Sequence, residues 1–60
     1  VKKWSTTTAE DLRAGNTISV GDTMALVRWR KWDERASTWE VMTDRGVFRL
    51  GHTESVEVYR

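Results

Sequence analysis

The chain has no cysteine and no proline, a single histidine and only four glycines among its 60 residues. Without cysteine there can be no disulfide, no thiolate metal site and no cysteine nucleophile. One imidazole, His52, cannot build a zinc site alone. The glycines, Gly15, Gly21, Gly46 and Gly51, each stand singly at a turn, so no glycine-rich phosphate loop is present. A dominant charge is missing too: ten basic residues face nine acidic ones, a formal net charge of +1. A strongly basic balance would favour nucleic acid or an acidic membrane, and this balance favours neither. No apolar run nears the roughly 20 residues of a membrane span, so no membrane partner is expected. The first residues show no hydrophobic signal region, and a cytoplasmic protein is the expectation.

What is present must therefore hold the fold by packing. A chain this short buries only roughly 60% of the surface it exposes when unfolded. Four tryptophans, one phenylalanine and one tyrosine offset that thin core, since each aromatic buries on the order of 150–250 Å². Homodimerisation is a second way to gain buried area. No cofactor is expected.

Residues 1–7 read as a loose arm with Trp4 as its one anchor, and residues 8–60 as a single domain. Thr8-Ala9-Glu10-Asp11 matches a helix start, with a capping hydroxyl and acids in the first turn. A turn or two of helix over Ala9–Arg13 would point Leu12 inward. From Asn16 the period becomes two. Strands are expected over Asn16–Val20, Thr23–Trp32, Thr38–Thr43, Val47–Leu50 and Ser55–Tyr59. Five short strands with brief, glycine-marked turns predict an all-β fold, a five-stranded SH3-like small antiparallel barrel preceded by a short helical turn.

Pairing Trp32 with Thr38 sets Arg30 opposite Glu40, Trp29 opposite Val41 and Val27 opposite Thr43. Val27, Trp29, Trp39 and Val41 then share the core face. Arg28, Arg30, Trp32, Glu40 and Met42 share the outer one. A two-residue loop at Arg45-Gly46 brings Phe48 to Thr43 and Leu50 to Val41 on the core side. Ile18, Val56 and Val58 complete the interior, while Glu57 and Tyr59 face out. Trp29 and Trp39 are thus expected to be structural, and Trp32 free.

Two binding sites follow. Arg28, Arg30, Lys31, Trp32 and Arg35 lie on one strand and its loop; cations neutralise phosphates and an exposed ring stacks on a base, which points to DNA or RNA. The plainer reading is that alternating arginines merely solvate the outside of the barrel. The alternative site is a protein-binding patch of Trp32, Met42 and Tyr59, residue types enriched in interface cores. Trp4 joins that patch or plugs one end of the barrel. Catalysis finds little footing: His52 sits in a turn and no carboxylates stand at a recognisable spacing. A non-catalytic binding module is expected, with His52 solvated.

The runs Asp11-Leu12-Arg13-Ala14-Gly15-Asn16-Thr17-Ile18, Val41-Met42-Thr43-Asp44-Arg45-Gly46 and Val56-Glu57-Val58-Tyr59 resemble small SH3-like barrel proteins of actinobacteria and their phages. The resemblance spans about Asp11 to Tyr59, and its motifs mark turns and core. It implies binding of DNA, RNA, peptides or partner proteins rather than chemistry; the protein-binding alternative is then an accessory factor, of a phage for example, docking on a host or partner protein. It assigns no functional residue.

Overall fold

The computed structural model describes residues Val1–Arg60 as one antiparallel sheet of six strands. The strands are β1 (Trp4–Thr8), β2 (Thr17–Val20), β3 (Thr23–Asp33), β4 (Thr38–Thr43), β5 (Gly46–Gly51) and β6 (Ser55–Tyr59). Their order across the sheet is β1-β6-β2-β3-β4-β5. The only helical element is a three-residue 3-10 turn, Ala9–Asp11, after β1. The end strands β1 and β5 do not pair, so the barrel expected from the strand count is not closed.

Core side chains come from opposite ends of that order. Ala9, Leu12, Ile18, Ala25, Val27, Val41, Leu50, Val56 and Val58 form one buried cluster. For β5 and β6 to contribute to the same cluster the sheet must curl over itself, as the right-handed twist of strands allows. Small and β-branched residues fill it, and each larger aliphatic contributes about 1.5–3 kcal/mol by leaving water. The tryptophans are not at its centre: Trp39 and Phe48 pack against its margin. Leu12 and Ala9 are fully buried, which seats the 3-10 turn on the sheet and leaves Glu10 in solvent. One polar residue, Thr43, lies in the core. Its hydroxyl donates to the Gly46 carbonyl at 2.8 Å and accepts from the Arg45 N–H at 3.0 Å, so it is buried with partners.

The N-terminal residues correct the sequence reading most directly. Residues 4–7, expected in an arm, and Thr8, expected to cap a helix, form strand β1 against β6, with Trp4 opposite Tyr59 and Thr7 opposite Val56, and the Thr8 side chain makes no capping bond. Trp4 plugs no barrel end; its ring lies on Tyr59 at 5.3 Å between centroids. Arg60 next to that strand pair donates to the Asp11 carboxylate at 2.8 Å. Thr7 donates to the same carboxylate at 3.1 Å. These bonds, the Arg60 guanidinium first, hold the Asp11 carboxyl below its ordinary range.

The middle hairpin corrects the register. Val27 does pair with Thr43, but the next pair is Trp29 with Met42. Arg28 is an extra residue, a β-bulge, and it shifts everything beyond it by one. Trp32 pairs with Trp39 and Arg30 with Val41, in place of Thr38 and Glu40. Directly paired residues share a face. Arg30 and Trp32 therefore lie on the core side of the sheet with Val41 and Trp39, and Trp29 lies outside with Met42. Trp29, expected in the core, is 47% exposed. Glu40, expected opposite Arg30, forms its ion pair with Arg49 at 3.1 Å. The second hairpin turns at Asp44-Arg45, one residue earlier than expected, with Gly46 at φ 106° just beyond. Phe48 meets Val41 and Leu50 meets Trp39. That is a slip of two residues, so both keep the core side; Leu50 is buried and Phe48 half-buried.

Candidate functional site

The bulge delivers Trp32 to the rim of the curled sheet. There it meets Trp39 on β4, with ring centroids 5.3 Å apart and planes inclined at 60°. On its other flank lies His52, at 5.8 Å and 71°, an edge-on approach. His52 belongs to the turn between β5 and β6. That turn is held by Glu54, whose carboxylate accepts from the Gly51 N–H at 3.1 Å. Glu10, projected by the 3-10 turn, completes an open pocket of about 360 Å³ lined by Glu10, Trp32, Trp39 and His52. Four separate segments thus converge on one aromatic recess.

Behind the recess Arg30 is fixed. Its Nε donates to the Leu12 carbonyl at 2.9 Å. Its guanidinium carbon sits 4.7 Å from the centre of the Trp39 ring, a cation–π contact. Arg30 is thereby committed to holding the 3-10 turn and Trp39 in place. Two buried polar atoms lack a partner, Thr38 Oγ1 and Trp39 Nε1. Both belong to the start of β4, beside the recess. A buried donor without an acceptor costs about 1–3 kcal/mol.

The residues expected to contact nucleic acid are not brought together. Lys31 and Arg28 are exposed on the outer side of β3, Arg30 is held on the inner side, and Arg35 lies in the four-residue turn Glu34–Ser37. The single face of Arg28, Arg30 and Trp32 is overturned by the bulge. The alternative trio divides as well. Met42 and Tyr59 face outward, each on its own part of the sheet, while Trp32 faces the recess. Exposed apolar residues also occupy the outer side: Met24, Leu26, Trp29 and Val47.

Sequence reasoning singled out Trp32 but missed its companions. The sequence places Trp39 in the core, His52 in a solvated turn, and Glu10 in the first turn of a helix. One signal was available: an indole on each side of a short polar loop, Trp32 and Trp39, separated by six residues. No protein-family model, curated protein or solved structure matches the chain.

A second depression of about 320 Å³ is lined by Ser19, Val20, Gly21, Leu50 and Glu54 to Glu57. It is polar and carries no ring.

Proposed function

We propose that this chain is a non-catalytic protein-interaction module that holds a segment of a partner polypeptide in the recess of Trp32, Trp39, His52 and Glu10. The observation that carries the reading is the convergence of three rings from three segments on one open pocket. Tryptophans are the strongest anchors of protein interfaces, and they act best in preformed recesses.

The SH3-like resemblance belongs to the same proposal. Without β1, the remaining strands run β6-β2-β3-β4-β5, with the last strand returned beside the first. That order supports an SH3-like arrangement to which β1 is an addition. Nucleic acid is the weaker ligand, because the four cations proposed for it are spread over two faces and a loop, and Arg30 is already bound.

The test is a titration of the chain with a peptide library and with random-sequence single-stranded DNA and RNA, followed by tryptophan fluorescence at low and moderate salt. The expected result is peptide binding that changes little with salt and is lost in Trp32→Ala. Binding to nucleic acid alone, weakening steeply with salt and indifferent to Trp32→Ala, would overturn the proposal.

A further inference from the structure

From the pocket's geometry we infer that the group it takes is a methylated ammonium, the side chain of an N-trimethylated lysine on the partner polypeptide. The inference rests on the proposed function and names the ligand chemistry of the same site.

Ring angles come first. A flat ligand such as a nucleobase or a guanidinium is held best between parallel rings. Here the planes of Trp32 and Trp39 meet at 60°, and those of Trp32 and His52 at 71°. Inclined walls form no parallel slot, and a compact, near-spherical group can lie against both at once. Electrostatics come second. An indole face carries the negative end of the ring quadrupole and attracts cations, tryptophan most strongly. Trp39 already does this within the molecule, where the Arg30 guanidinium lies over it at 4.7 Å. Arg30 does not line the pocket, so the wall that Trp39 gives to the recess is a different part of its surface.

Glu10 supplies the third argument. It is the only formal charge among the four lining residues, and it is an acid. A carboxylate offers acceptors and no donor, so it repels phosphate and carboxylate groups. It also gives a purely apolar side chain nothing to gain. A cation gains from both the rings and the carboxylate. Methylation then decides between cations. An ordinary lysine ammonium is strongly hydrated and would give up its water for a wall that is mainly carbon. A trimethylammonium holds its water weakly and presents methyl groups to the rings.

The experiment uses the full chain and three matched peptides that differ at one side chain: trimethyllysine, unmodified lysine, and the neutral isostere in which a tert-butyl carbon replaces the nitrogen. Binding is followed by tryptophan fluorescence and by amide shifts of residues 10, 32, 39 and 52. The trimethyllysine peptide is expected to bind about tenfold or more tightly than either of the others, the step that one or two cation–π contacts supply. Glu10→Gln should weaken it several-fold while leaving the neutral peptide unchanged. Trp32→Ala should abolish it, and Trp32→Phe, which keeps a ring, should restore part. Equal binding of the charged and neutral peptides would overturn the cation assignment while leaving a peptide-binding module in place. Absence of binding by all three, with peptide-library binders still found at the recess, would likewise overturn the ligand and spare the module. No peptide of any kind at the recess would overturn both. Recruitment to phosphatidylcholine vesicles in preference to the trimethyllysine peptide would keep the cation but overturn its assignment to a protein side chain.

Discussion

The two halves of β3 follow opposite alternation. From Met24 to Val27 the odd-numbered residues, Ala25 and Val27, point into the core and are buried. From Trp29 onward the even-numbered ones, Arg30 and Trp32, take the inner side. The switch costs one residue, Arg28, which has no partner across the strand pair. On one side of it the strand serves the core with small aliphatic groups. On the other it serves the rim with a ring and a guanidinium. The same polypeptide thus changes task within four residues, and with Arg28 present the change is what puts Trp32 on the side of the recess.

The sharpest way to break that comparison is to put the same charge at an inner and an outer position of β3. Val27→Asp buries a carboxylate among aliphatic groups and should cost about 3 kcal/mol or more, enough to unfold so small a domain. Trp29→Asp lies on the exposed side and should cost only about 0.5 kcal/mol. Plain alternation along β3 would put both in the core and make both changes ruinous. Urea melts followed by circular dichroism check the pair.

Removal of Arg28 sharpens the comparison further. Pairing would then run without interruption from Val27–Thr43 to Trp29–Met42, and every residue beyond would keep its side. We expect the deletion to fold, to cost about 1 kcal/mol or less, and to leave Trp32 as accessible to a fluorescence quencher as before. A large change in quenching would mean that the bulge sets the bend of the rim as well as the register.

The smallest effect lies far from β3, at the carboxylate that ties the chain's two ends. The folded state depresses the Asp11 pKa, through the Arg60 hydrogen bond first and the Thr7 hydroxyl second. A depressed carboxyl stabilises the fold above the unfolded value, about 3.9, and loses that contribution as pH falls through the folded one. Asp11→Asn should therefore lower the melting temperature slightly at neutral pH. Below about pH 4 the difference from the parent chain should shrink. Thermal melts across the acid range read this directly.

Much of the architecture was legible because strands advertise themselves by period two. Thr38–Thr43 and Ser55–Tyr59 have the bounds that alternation predicts, and Ile18, Val56 and Val58 are buried as expected. The bulge was not legible. Neither Arg28 nor Trp29 is a glycine, and two consecutive outward residues differ in no obvious way from an ordinary alternating pair. The loop after β3 compounded this, since Asp33 reads as a turn residue yet pairs with Thr38. Strand β1 was hidden for another reason: Trp-Ser-Thr-Thr-Thr has no apolar alternation, and its partner lies at the far end of the chain. The recess was beyond reach because Glu10 and His52 come from turns, where periodicity says nothing about direction.

The placement of β6 sets how the molecule is assembled. Strands β2 to β5 pair with their sequence neighbours through turns of two to four residues. Strand β6 must instead find β2 across three intervening strands and β1 across nearly the whole chain, with Trp4 against Tyr59. Closing so long a loop is entropically the most demanding step, and pairings of this range set the pace of folding. The hairpins from β2 to β5 close short loops, while the docking of the last strand between the first two closes the longest, which makes it the step expected to set the rate.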